Sequence, residues 1–124
     1  MSENYAEIYE TLKKENADVD MGCVLAADGK ILFNSGAWDL TADAAKLLKT
    51  WKEHGPRIEV QGTGYSVLRS EPESLVSTNL ARKGSVVGSV TKGGNFFVAH
   101  LVPVSVEQAG KDYMDVARAA AKMK

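Results

Sequence analysis

Apolar residues at Tyr5, Ile8, Tyr9 and Leu12 recur at i, i+3, i+4 and i+7 within residues 3–15, while Glu7, Glu10, Lys13 and Lys14 take the other side. That spacing predicts an amphipathic helix. Met21 to Ala27 is nearly all apolar, Asp28-Gly29 is a turn signal, and Lys30 to Asn34 carries Ile31, Leu32 and Phe33, which together predict a β-hairpin. Asn34-Ser35-Gly36 loosens the chain before Thr41, an N-cap residue type. A second helix follows with Ala44, Leu47, Leu48 and Trp51 on one face, stopped by Gly55-Pro56. From Arg57 to about Leu101 the helical period disappears. Short β-like runs replace it at Ile58 to Val60, Tyr65 to Arg69, Ser74 to Thr78, Ser85 to Thr91 and Asn95 to Leu101, with Gly93-Gly94 turning the last pair. After Pro103, residues Val106 to Met123 line up Gly110, Tyr113, Met114, Ala117, Ala120 and Ala121 along one side of an alanine-rich helix.

The predicted order is helix, hairpin, helix, five strands, helix. It describes an α/β fold of the α+β kind: a central antiparallel sheet of about seven strands, the terminal helices packed on it, and a further helix after the first hairpin. The chain of 124 residues is long enough for one domain with its own core, so residues 1–124 are expected to form a single unit. A net charge of −1 leaves no long-range field for nucleic acid, so charge-driven binding must come from a local patch. The single cysteine, Cys23, lies inside an apolar strand and reads as a buried thiol in a reducing compartment. The first ten residues lack the cationic and apolar segments of a signal peptide, and no apolar run is long enough to cross a bilayer, which points to the cytoplasm.

Candidate chemistry is sparse. Gly62-Thr63-Gly64 superficially suggests a phosphate-binding loop, but position 67 is valine where a dinucleotide fingerprint needs its third glycine. β-like runs flank the motif on both sides, so a hairpin turn is the better reading. His54 reads as a residue at a helix C-terminus and His100 as a surface or hydrogen-bonded residue of an apolar strand; neither has a second ligand at metal-binding spacing. No Gly-x-Ser-x-Gly elbow is present, and Glu71 and Glu73 around Pro72 read as a solvated acidic loop. No catalytic residue, metal or cofactor is therefore expected. The strands Tyr65 to Arg69 and Ser85 to Thr91, with Arg82 and Lys83 in the loop before the second, instead mix apolar and polar positions as a transient protein interface does.

A resemblance sharpens this reading. Ile58-x-Val60-x-Gly62-x-x-Tyr65-x-Val67-Leu68 resembles a hairpin of profilins, in which Ile-x-Leu-Gly-Gly-x-x-Tyr-x-Val-Ile recurs, and Val90-Thr91-Lys92 resembles their Val-Thr-Lys segment. The order of elements resembles theirs over nearly the whole chain, most like the divergent profilins of Asgard archaea. The resemblance implies a monomeric actin-monomer-binding protein, cytoplasmic and cytoskeleton-associated, that regulates polymerisation through a one-to-one complex. Carried over by position, its actin face comprises Ser66, Val67 and Arg69, then Arg82, Lys83, Ser85 and Val87, then Val106, Glu107, Lys111 and Asp112.

Profilins also grip proline-rich segments with stacked aromatics between their terminal helices, and many bind phosphoinositides. Here the aromatics thin out: Tyr5 and Ile8 stand where the family has Trp and Tyr, Leu32 where it has Trp, and Lys122 where it has a C-terminal Tyr. Polyproline binding is accordingly expected to be weak or absent at the usual site, with Tyr5, Tyr9 and Tyr113 left to build a different one. Lys13, Lys14, Lys111, Arg118, Lys122 and Lys124 would make a basic surface for anionic phosphoinositide headgroups if the terminal helices lie side by side, although solvated helix charge is the plainer reading.

The competing reading is a roadblock- or longin-type dimeric regulator of small GTPases, because Val24-Leu25-Ala26-Ala27-Asp28-Gly29-Lys30-Ile31-Leu32 resembles the opening hairpin of those domains as well. A roadblock domain has a five-stranded sheet, so the strand count separates the two. An enzyme built on Gly62 and Gly64 ranks third.

Overall fold

A computed structural model describes residues 4–35, 38 and 40–123; Glu3 of the first predicted helix, Gly36 of the loosened segment and Lys124 of the basic set lie outside the described residues. The elements run α1 (Tyr5–Glu15), β1 (Val19–Leu25), β2 (Ile31–Asn34), α2 (Ala44–Glu53), β3 (Arg57–Val60), β4 (Thr63–Glu71), β5 (Ser74–Thr78), β6 (Ser85–Val90), β7 (Phe96–Leu101) and α3 (Val106–Ala120). All strands join one seven-stranded sheet in the order β2-β1-β7-β6-β5-β4-β3, every neighbouring pair antiparallel. The sheet is thus a five-strand meander whose last strand takes the first hairpin onto its far side.

Three layers result. α1 and α3 cover one face, where Tyr9, Leu12, Val24, Val87, Phe97 and Val116 pack together. α2 covers the other, where Leu47, Trp51, Ile58, Tyr65, Leu75 and Val98 form a second apolar cluster. The central strands β5 and β6, apolar or small at nearly every position, are buried on both faces, as a sheet between helix layers requires. Trp51 ties α2 to the sheet: its indole N–H donates to the Glu71 carbonyl at 2.6 Å, and Ser70 Oγ donates to the Trp51 carbonyl at 2.9 Å.

Several boundaries differ from the sequence expectation. β1 begins two residues before Met21 because Val19 pairs with Leu101 across an irregular register step, and it ends at Leu25, where Ala26 turns to bond the Lys30 carbonyl. The N-cap position of α2 is Asp43 rather than Thr41; the Asp43 carboxylate accepts the Gln61 N–H at 2.8 Å, which clips the helix start to the β3–β4 turn. The largest difference lies in α3. Its buried side is Ala109, Asp112, Tyr113, Val116, Ala119 and Ala120, whereas Met114 and Ala121 of the expected stripe are exposed. Tyr113 and Ala120 of the expected stripe are buried; the rest of it runs along the flank, and the core arc extends past it through Ala109, Asp112, Val116 and Ala119.

Candidate functional site

The Gly62-Thr63-Gly64 motif resolves into a turn. Val60 pairs with Thr63, leaving Gln61 (φ 51°) and Gly62 (φ 80°) as a two-residue hairpin loop with both residues left-handed, while Gly64 belongs to β4. No helix starts there, so the backbone N–H cradle of a phosphate loop is missing.

α3 lies over β5, β6 and β7, and beside it β4 continues the same sheet surface. There Arg69 sits with its guanidinium 5.9 Å from the centre of the Tyr113 ring, bridging β4 to α3. Its Nε and Nη2 both donate to Glu71 Oε1, at 3.0 and 2.9 Å. The Arg69 hydrogen bond, with a second from Ser74, holds the Glu71 carboxyl below the usual carboxylate range. A shallow recess lined by Arg69, Glu71, Pro72, Glu73, Ser74 and Tyr113 opens at this point.

At the other end of the face the β5–β6 connection carries Leu80, Arg82 and Lys83, all exposed. A groove of about 430 Å³ separates this loop from Pro103, Val104, Ser105 and Val106 at the start of α3. Val106, Glu107 and Lys111 are exposed along the helix, with Met114 further on.

The residues expected to form a partner face therefore divide. Arg69, Arg82, Lys83, Val106, Glu107 and Lys111 are at the surface, and Ser66 and Val67 are half-buried. Ser85 and Val87 are fully buried, and Asp112 is only 2% exposed, so these three side chains are not offered to a partner. Ser85 donates to Thr78 Oγ1, and Val87 sits in the core under α3. Asp112 Oδ1 accepts from Asn16 Nδ2 at 3.0 Å and from Gln108 Nε2 at 2.8 Å. Sequence reasoning missed Leu80 and the exposure of Met114. The signal for Leu80 was an isolated leucine inside the polar turn sequence Asn79-Leu80-Ala81-Arg82-Lys83-Gly84.

The other candidate groups are structural. His100 is buried, with Nδ1 2.7 Å from Asp20 Oδ1 and Nε2 3.1 Å from the Lys83 carbonyl, and its ring is edge-on to Trp38 and Tyr65. His54, left-handed at φ 59°, closes α2 and reaches the Ser70 carbonyl with Nδ1 at 2.8 Å. Burial pushes the Cys23 thiol up to about 12, which leaves it un-ionised and inert at neutral pH. Among the described residues no group of three His, Cys, Asp or Glu side chains is arranged to hold a metal ion, and no helix is long and apolar enough to cross a membrane.

No family model matches the chain. Individual relatives do: Loki profilin-3 of Lokiarchaeum sp. is 34% identical over 88 residues, 69% of this chain and 72% of its own length. Thor profilin of a Thorarchaeota archaeon is 36% identical over 99 residues, 78% of this chain and 76% of its own. The chain is a profilin. A Loki profilin solved in complex with rabbit actin shares the fold at a TM-score of 0.85, covering 98% of this chain and 96% of that one at 21% identity. Profilin IB of Acanthamoeba castellanii shares it at 0.70, covering 88% and 90% at 16% identity. The seven-stranded sheet sets the chain apart from the five-stranded roadblock alternative.

As a profilin it departs from the aromatic pattern between the terminal helices. Tyr5 and Tyr9 are buried against Phe33, with ring centres 6.5 and 5.7 Å away, and Tyr113 is buried beneath Arg69. All three are buried, which leaves little ring surface for the different site that they could have built. The groove between α1 and α3, about 210 Å³, is lined by Ile8, Leu12 and Ala119 with Glu7, Glu15, Asp115, Arg118 and Lys122 among its walls. Arg118 pairs with Asp115, so acidic and basic groups alternate there and the surface is not uniformly basic.

Proposed function

We propose that this profilin binds an actin monomer one to one through the face made by β4, the β5–β6 loop and the outer side of α3, and thereby regulates filament assembly. The observation that carries this reading is the composition of that face. Exposed Leu80, Val106 and Met114 are interspersed with Arg69, Arg82, Lys83 and Lys111, in the fold of a relative solved on actin. Apolar patches with cations between them suit a transient protein partner with an acidic surface. The face explains the action by mass action: monomer in the complex is withdrawn from nucleation, and covering one end of it restricts which filament end it can join. The protein works as a cytoplasmic, cytoskeleton-associated monomer, by binding and with no chemistry of its own. With Tyr5, Tyr9 and Tyr113 buried and charged side chains around the inter-helix groove, proline-rich peptides bind weakly or not at all, and anionic headgroups find no continuous basic patch.

Calorimetric titration of monomeric actin, with spontaneous polymerisation followed in parallel, tests the proposal. The expected result is a saturable one-to-one complex and slower nucleation. Absence of both, with another profilin active in the same assay, refutes it.

A further inference from the structure

Leu80 is 81% exposed, while the other exposed large apolar residues, Leu32, Leu68, Val106 and Met114, range from 38% to 58%. The loop here is fixed. Asn79 Oδ1 accepts the Ala81 and Lys83 N–H groups at 2.8 and 3.1 Å, and its Nδ2 donates to the Gly64 carbonyl at 2.7 Å, which anchors the turn to β4. The Asn79 N–H donates to the Gly84 carbonyl at 2.9 Å, and the Arg82 N–H to the Asn79 carbonyl at 3.1 Å.

From beneath, His100 Nε2 meets the Lys83 carbonyl. Gly84, at φ 108°, lies so close to His100 and the Leu101 carbonyl that a Cβ there would come within 2.6 Å of them. Arg82 is held at φ 63°, a conformation that non-glycine residues adopt only when their surroundings dictate it. The loop therefore pays its ordering cost on folding and not on binding.

We infer that Leu80 is the apolar anchor of the actin contact, seating in an apolar recess with an acidic rim on the actin monomer. The inference rests on the actin reading above and names the residue that dominates it. Arg82 and Lys83 beside Leu80 supply the complementary charge for the rim. The groove bordered by Leu80, Pro103, Val104 and Val106 leaves room for an apolar side chain of the partner to pack against the same leucine.

Affinity for monomeric actin is compared for the unaltered protein, Leu80→Ser, Leu80→Met and Leu32→Ser, the last altering an exposed leucine on the edge strand β2, separated from β6 by β1 and β7. Burying a leucine side chain contributes enough that Leu80→Ser should weaken binding about thirtyfold. Leu80→Met should stay within about threefold, since it conserves apolar volume, and Leu32→Ser should bind as the unaltered protein does. Melting temperatures of all four proteins should agree. An unaltered protein that binds while Leu80→Ser binds equally well, or while Leu32→Ser weakens binding as much, overturns the anchor and leaves actin binding standing. If the unaltered protein does not bind actin, both readings fall.

Discussion

Asp18 and Asp112 meet where the chain leaving α1 passes α3. Asp112 is buried with Oδ1 taken by two amide donors, and its Oδ2 has no amide or hydroxyl donor. A proton on the Asp18 carboxyl would supply one: hydrogen bonding to Asp112, then burial and the Asp112 charge, raise the Asp18 pKa above its ordinary value. A raised acid favours the folded state most below the ordinary carboxylate range, and that contribution fades as pH rises through the folded-state value. Asn at position 18 donates at every pH. Thermal melts of Asp18→Asn and the unaltered protein between pH 4 and 8 should therefore diverge, with the variant gaining relative stability as pH rises. Parallel profiles would rule out the shared proton. None of this was visible in the sequence, where Asp18 is one acid in a polar connection and Asp112 stood as a surface contact. Proximity across almost the whole chain, not local pattern, makes the pair.

At the scale of an element, α3 shows what periodicity can and cannot tell. Its apolar residues span a wide arc, because Ala109, Val116 and Ala120 face the core while Val106, Gly110, Met114 and Ala117 run along the neighbouring flank toward the open surface. A stripe drawn from the sequence alone meets the core at Tyr113 and Ala120 but is centred toward the flank, since alanine and glycine mark neither side strongly. The start of the helix is better defined: Ser105, extended at its backbone, accepts the Gln108 N–H at 3.0 Å. Ser105→Ala should cost about 1 kcal/mol of stability, read as a lower denaturant midpoint at unchanged slope. A midpoint that does not move would show that neighbouring packing alone sets the helix start. Strands were easier to read than helix faces. Turn residues such as Asp28-Gly29 and Gly93-Gly94 punctuate them, and β5, β6 and β7 lie within about a residue of the boundaries expected from alternation and turn chemistry.

For the molecule as a whole, a formal charge of −1 leaves the local pattern to decide, and Arg69, Arg82, Lys83 and Lys111 lie on one face together with Glu71, Glu73 and Glu107. Exposed cations there should matter for partner association far more than for folding. Arg69→Glu and Lys83→Glu are each expected to weaken actin binding several-fold to about tenfold, with melting temperatures nearly unchanged and a shallower loss of affinity on adding salt. Reversals that leave affinity untouched would move the contact elsewhere on the surface. The family and its fold were legible in the sequence because the order of elements and two short motifs survive at low identity. The face was legible only in part: which side chains are covered by α3 depends on how the helix rolls on the sheet, and that is decided by packing.

The pairing of β1 with β7 also favours one order of assembly. As the chain leaves the ribosome, β3 to β6 can zip together hairpin by hairpin, each strand finding its neighbour within a few residues. The amino-terminal hairpin has no sheet to join until β7 arrives, and one edge of β1 stays unpaired in the interval. The first strand of the sheet is thus expected to be among the last locked in, because its contact with β7 has the largest loop to bridge.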